Sequence, residues 1–171
     1  MRQKQHGTRQ IIMMESIENI PLTPIENSAL IEACQTLPCS GPLRINANGF
    51  VYVALNDDYI HKLHPILQQS LPYYVGKPNY FEPPKDVGAH ISVLYDQEVR
   101  SPVRLKPYLD QTFSFEIKQL CRADFEDKQY FCLIVTSSTI TELRTNLDLP
   151  ALLQYKNMII PPHITIAKRS F

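Results

Sequence analysis

The chain has 171 residues, 17 Lys and Arg against 17 Asp and Glu, and an apolar fraction of 44%. That is one ordinary domain or two small lobes sharing a core, with enough apolar residues to bury an interior without metal or disulfide staples. A formal net charge of zero argues against a duplex-DNA binder, which needs a broad basic face, and no apolar run approaches the ~18 residues of a membrane span.

Residues 1–20 read as a flexible tail, and residues 21–171 as one domain. Arg2, Lys4 and Arg9 precede only a short apolar patch, Ile11 to Met14, too short for a signal peptide. Cys34, Cys39, Cys121 and Cys132 are scattered without ligand spacing and read as reduced thiols. Both features suggest a cytoplasmic protein.

The pattern predicts a helix over residues 26–37, with Asn27 or Ser28 near its start, then a break over 38–42. Strands over 43–47 and 50–55 flank Asn48-Gly49, a hairpin signal. Asn56 or Asp57 caps a helix to about residue 70, whose Ile60, Leu63, Ile66, Leu67 and Leu71 follow helical spacing. A Pro- and Tyr-rich loop, 72–84, leads to a buried strand over 88–95 that carries His90-Ile91-Ser92.

The same order then recurs. Residues 111–121 read as a strand, 122–128 as a polar turn and 129–136 as a second strand. A helix follows from Ser137 or Ser138 to about 147, then a connector over 150–162 and a strand over 163–167 with His163-Ile164-Thr165. Two hairpin–helix–strand units imply an α+β fold of two pseudo-symmetric lobes, each an antiparallel sheet with a helix, their motif strands facing each other across a central cleft.

In a strand, residues i and i+2 share a face. Each motif therefore offers one imidazole beside one hydroxyl, while Ile91, Val93, Ile164 and Ile166 point into the core. Two histidines at a phosphodiester can divide acid and base work, because a pKa near 6.5 allows both protonation states close to neutrality. The hydroxyls of Ser92 and Thr165 can hold the non-bridging oxygens. The scheme needs no metal and no cofactor. A lone strand histidine is more often a packed one; the equivalent placement of two matching motifs gives the pattern its weight.

His90-Ile91-Ser92 followed by Val93-Leu94, and Pro161-Pro162-His163-Ile164-Thr165-Ile166-Ala167, resemble the two signature strands of the 2H phosphoesterase superfamily, over about residues 43–171. Within it the chain is similar to the bacterial RNA-repair-like group called Swiss Army Knife. The resemblance implies a bilobal α+β fold, no metal, and a nucleotide or short RNA substrate carrying a 2′,3′-cyclic phosphate, a 2′,5′ linkage or an RNA 3′ end. It implies His90 and His163 as the acid/base pair and Ser92 and Thr165 as phosphate holders. A monomer is expected.

Strand phase adds Arg169, on the face of His163 and Thr165 if the strand stays regular, and Tyr52, on the face opposite Val51 and Val53. Tyr73, Tyr74, Tyr80 and Phe81 crowd the loop before the first motif and could stack on a base; Lys85 could draw in an anion. His61 and His64 lie at i and i+3 of a helix and lack an acidic third ligand, so they read as surface residues. The alternatives are a non-catalytic nucleotide- or RNA-end-binding module on this fold, and an interaction domain with buried histidines.

Overall fold

A computed structural model describes residues 16–79 and 87–170. In chain order these form β1 (Glu18–Asn19), β2 (Leu22–Pro24), α1 (Ser28–Gln35), β3 (Ser40–Ile45), β4 (Val51–Ala54), α2 (Asp58–His61), α3 (Leu63–Ser70), β5 (Lys77–Pro78) and β6 (His90–Leu94). Two 3-10 turns (Asp96–Glu98 and Pro102–Leu105) follow. Then come β7 (Thr112–Ser114), β8 (Glu116–Phe125), β9 (Lys128–Thr136), α4 (Ser138–Asn146), β10 (Leu153–Tyr155), β11 (Met158–Ile160) and β12 (His163–Ser170). The fold is α+β with mostly antiparallel sheet.

The main sheet runs β2-β8-β9-β12-β6-β4-β3-β7, and β5 adds to β12. The motif strands β6 and β12 are therefore neighbours at its middle, paired antiparallel at Ile91 and Ile164. This corrects the expectation of two strands facing each other across a cleft: they lie side by side and share one face. The hairpin β3–β4 stands on one side of them and β8–β9 on the other.

Alternation decides which face is buried. Leu43, Val51, Val53, Ile91, Leu133 and Ile164 are fully enclosed, together with Leu63 and Leu67 of α3. Helices α2 and α3 pack under β12, and α4 under β6 and β7. Removing this much apolar surface from water is what holds sheet and helices together, at roughly 25 cal/mol per Å².

Local chemistry explains the boundaries. Asn27 caps α1 by accepting from Leu30 N at 2.9 Å, and Ser137 caps α4 by accepting from Ile140 N at 3.3 Å. The single helix expected to residue 70 is two, broken at Lys62. Pro65 has no N–H to offer the carbonyl four residues back and its ring crowds that position, so the helix restarts with Pro65 in its first turn. Asn56 Oδ1 accepts from Asp58 N at 2.9 Å, while Asp57 Oδ1 accepts from Ala89 N at 3.0 Å and ties the helix start to the residue before the first motif.

Other boundaries moved. The tail expected to residue 20 is shorter, because β1 pairs in parallel with β11 and β2 with β8. The strand expected over 111–121 is two strands, β7 at one border of the sheet and β8 next to the other, broken at Phe115. Phe113 and Phe115 are both buried, so the alternation runs through the break unmarked. The turn expected over 122–128 is mostly strand, with the reversal confined to Glu126-Asp127. The connector over 150–162 holds the hairpin β10–β11, turned at Lys156 and Asn157, both with positive φ (46° and 62°).

Candidate active site

His90, Ser92, His163 and Thr165 line one cavity of about 600 Å³ on the sheet face opposite the helices. That is an ordinary size for a small-molecule site. Its floor continues across β9 and β8 through Ile134, Cys132, Tyr130 and Lys128, then Ala123 and Phe125. These residues are cross-strand partners: Thr165 faces Cys132, and Tyr130 faces Ala123. One wall is the turn Tyr95–Gln97 after β6; another is formed by the three-stranded sheet β1-β11-β10 and the residue after β1, through Tyr155, Ile160 and Ile20.

Both imidazoles are fixed in the same way. Nδ1 of His90 lies 2.7 Å from the carbonyl oxygen of Gly88, and Nδ1 of His163 lies 2.9 Å from that of Pro161. A carbonyl oxygen only accepts, so Nδ1 must carry the proton in each ring. Nε2 is then the proton-exchanging atom of both histidines. In each motif the anchor is the residue two before the histidine, Gly88 or Pro161.

Burial pushes the pKa of His163 below its usual value, and the Pro161 carbonyl opposes this more weakly. A histidine so placed is neutral at neutral pH. Burial pushes the Cys132 thiol up to about 12, so it is no thiolate nucleophile. Its Sγ lies 3.7 Å from Thr165 Oγ1. Burial, with help from Glu98, pushes the Tyr95 phenol up to about 12, which keeps it a neutral hydroxyl.

Among the described residues, the cations lining the cavity are Lys128 and Lys168. Arg169 was expected there and is not among the lining residues. The pairing of β12 with β9 slips between Thr165 and Ala167, a bulge centred on Ile166. One extra residue reverses the alternation beyond it, so Lys168 takes the face of His163 and Thr165. Arg169 lies on the other face, where its Nε donates to Gln129 Oε1 at 2.6 Å and its Nη1 to Tyr74 O at 2.7 Å.

The aromatic positions also separate. Tyr52 is registered opposite Ser92, and its ring stands edge-on to His90 at 6.0 Å; it flanks the first motif without lining the cavity. Tyr73 packs against Phe131 at 6.5 Å and under Arg169 at 4.8 Å. Tyr74 is exposed beside the C-terminal end of β12. Tyr80, Phe81 and Lys85 lie outside the described residues. His64 Nε2 is 3.0 Å from the Gly76 carbonyl, a packing role, and His61 is a surface residue of α2.

Aromatic residues that the sequence reading missed do line the cavity. Tyr155 packs against Tyr95 at 5.9 Å and Phe125 at 5.8 Å. The signal for Tyr155 in the sequence is Asn157 flanked by Leu153–Tyr155 and Met158–Ile160, a hairpin pattern.

Arg144 of α4 holds the rim. It is 1% exposed, donates to both carboxylate oxygens of Glu98 (3.2 and 2.9 Å), and also to Val93 O at 2.8 Å and Pro150 O at 2.8 Å. Glu98 in turn accepts from Tyr95 N at 2.9 Å. This positions the Tyr95–Gln97 wall against the β10 side. Among the described residues, no group of three or more His, Cys, Asp or Glu could hold a metal ion, and no helix is long and apolar enough to cross a membrane.

An antiparallel α+β sheet with two His-x-Ser/Thr strands at its centre is compatible with the phosphoesterases of the two-histidine class. The family model described as Swiss Army Knife, 2H phosphoesterase domain, matches residues 51–170. The chain belongs to that family, whose members are phosphodiesterases. Comparison with curated proteins and with solved structures returns no match.

Proposed function

We propose that the protein hydrolyses a nucleotide or RNA phosphodiester (a 2′,3′-cyclic phosphate, a 2′,5′ linkage or an RNA 3′ end) by acid/base catalysis between His163 and His90, without a metal. The observation that carries this reading is the matched tautomer. Two imidazoles in one cavity each have Nδ1–H anchored on a backbone carbonyl, which assigns both Nε2 atoms to proton exchange.

His163 serves as the base, because burial favours its neutral form. It takes a proton from the attacking water as the new P–O bond forms. His90, as imidazolium, gives its Nε2 proton to the oxygen that leaves as the old P–O bond breaks. Ser92 and Thr165 hydroxyls and the Lys168 ammonium hold the non-bridging oxygens, where negative charge grows. The nucleobase lies against Tyr155 and Phe125. The two hairpin–helix–strand units act as two lobes related by an approximate two-fold axis, which explains why both motifs deliver the same pair of groups.

The test is a turnover screen against 2′,3′-cyclic nucleotides, 2′,5′-linked dinucleotides and short RNAs in excess chelator. Hydrolysis of one of these classes that persists with chelator and disappears in His163→Ala is the expected result. Activity abolished by chelator and restored by a divalent ion would sink the metal-free scheme.

A further inference from the structure

Beside the cavity, around the C-terminal end of β12, lies a second concavity bordered by Tyr74, Gly76, Lys77, Lys128, Lys168, Arg169 and Ser170. Among the described residues that border it, four are cationic and none is acidic. Lys128 and Lys168 border both hollows, so the second opens onto the first.

The clustering comes from strand pairing. Lys168 of β12 is registered opposite Lys77 of β5 on one side, and on the other β9 brings Lys128 opposite Ser170, next along that face. Like charges directly opposite on neighbouring strands repel. A chain with zero formal net charge nevertheless gathers them here. The backbone is shaped for the approach as well. A side chain at Gly76 would meet Lys168 O at 2.1 Å, and its φ is +98°. Only glycine lets this loop lie on β12 and bring Lys77 in beside Lys168. Cations concentrated beside a phosphodiester site raise the local concentration of an anionic chain there.

We propose that this basic hollow is a second phosphate subsite, and that the substrate is a single-stranded oligonucleotide whose neighbouring backbone phosphate sits beside Lys77 and Lys128, with Lys168 between it and the scissile phosphate at the histidines. The inference rests on the phosphodiesterase reading for the position of the scissile group. Its test reads binding as well as turnover, so the two can fail separately.

Lys77 borders the second hollow and not the first, which makes Lys77→Glu and the milder Lys77→Ala the informative variants. Fluorescence polarisation with a labelled, 3′-phosphorylated oligoribonucleotide of about five nucleotides measures binding across a salt series. Lys77→Glu should weaken binding about ten-fold, as loss of a charge-assisted contact does. It should also flatten the log–log salt slope by about 0.7, the value for one phosphate contact on a single strand. Turnover of a mononucleoside 2′,3′-cyclic phosphate should stay at the wild-type rate. Equal affinity and equal salt slope in wild type and both variants overturns the subsite. An effect confined to a 5′-phosphorylated mononucleotide identifies a terminal phosphate and overturns the strand reading. Lys77-dependent binding without turnover of any diester supports the subsite and defeats the phosphodiesterase reading.

Discussion

Ile164 of β12 is the registered partner of Ile91 of β6. His90 and Ser92 flank Ile91, and His163 and Thr165 flank Ile164, so the pairing of the two isoleucines brings all four polar side chains to one cavity on the other face. The buried pair of isoleucines thus fixes the geometry of the polar groups on the other face.

Substitution of the imidazoles should separate chemistry from folding. His90→Ala and His163→Ala should each lower turnover by about 10²–10⁴-fold, the usual loss of a general acid or base. Ser92→Ala and Thr165→Val should cost less, because the proton transfers remain. The double histidine variant should be little worse than the worse single one. Near-full activity in either single variant, with circular dichroism unchanged, would show that the imidazoles are structural.

The bulge at Ile166 makes a prediction that plain alternation gets backwards. Lys168→Ala should reduce kcat/KM by about 10–100-fold, as removing a charged phosphate contact does. Arg169→Ala should spare the chemistry on a mononucleotide and instead loosen the 73–76 segment, read as faster amide exchange there. The reverse pattern would mean that β12 continues without the slip.

How far the sequence reaches shows in the same strand. Alternation found β6 and β12, and with them the four polar residues on one face, because a two-residue period needs no long-range information. It misplaced Arg169 because a bulge depends on pairing with β9, which no local pattern encodes. It could not see the chain cross the sheet at Phe115, since the buried Phe113 and Phe115 carry the alternation through the break. The Tyr155 wall was missed because β10 and β11 are three residues each, too short for a period to register.

Arg144 and Glu98 form an ion pair with side-chain exposures of 1% and 16%. Removing one partner strands the other charge, which costs about 3–5 kcal/mol. Arg144→Met should therefore lower the unfolding free energy measured by urea titration by an amount in that range. It should also raise KM, because Tyr95 and the Pro150 segment lose their common anchor. A stability change below about 1 kcal/mol would mean that Glu98 finds water or another donor when Arg144 is absent.

Tyr155→Ala should raise KM with little change in kcat, since a stacked base contributes equally to ground and transition states. Loss of one stack corresponds to about 1–3 kcal/mol. Tyr155→Phe should behave as wild type, and Tyr74→Ala should leave a mononucleotide substrate unaffected. A KM effect at Tyr74 alone would place the base at the other end of the site.

Acid should weaken the fold through His163, and the sign follows from its lowered pKa. The unfolded chain binds a proton near pH 6.5, while the folded protein resists protonation until a lower pH. Between those two values the unfolded state holds more protons, so unfolding becomes easier as pH falls. The stability associated with neutral His163 is fully present above about pH 6.5 and is lost as pH drops through the lowered folded value. His163→Asn removes the titration and keeps a donor for the Pro161 carbonyl. Urea midpoints at about pH 7.5 and about pH 5 should therefore fall more in wild type than in His163→Asn. Activity should follow the same group, with its acid limb set by protonation of His163 below pH 6.5 and lost in the variant. Parallel stability curves for the two proteins would show that His163 titrates as it does in water, and would remove the reason for naming it the base.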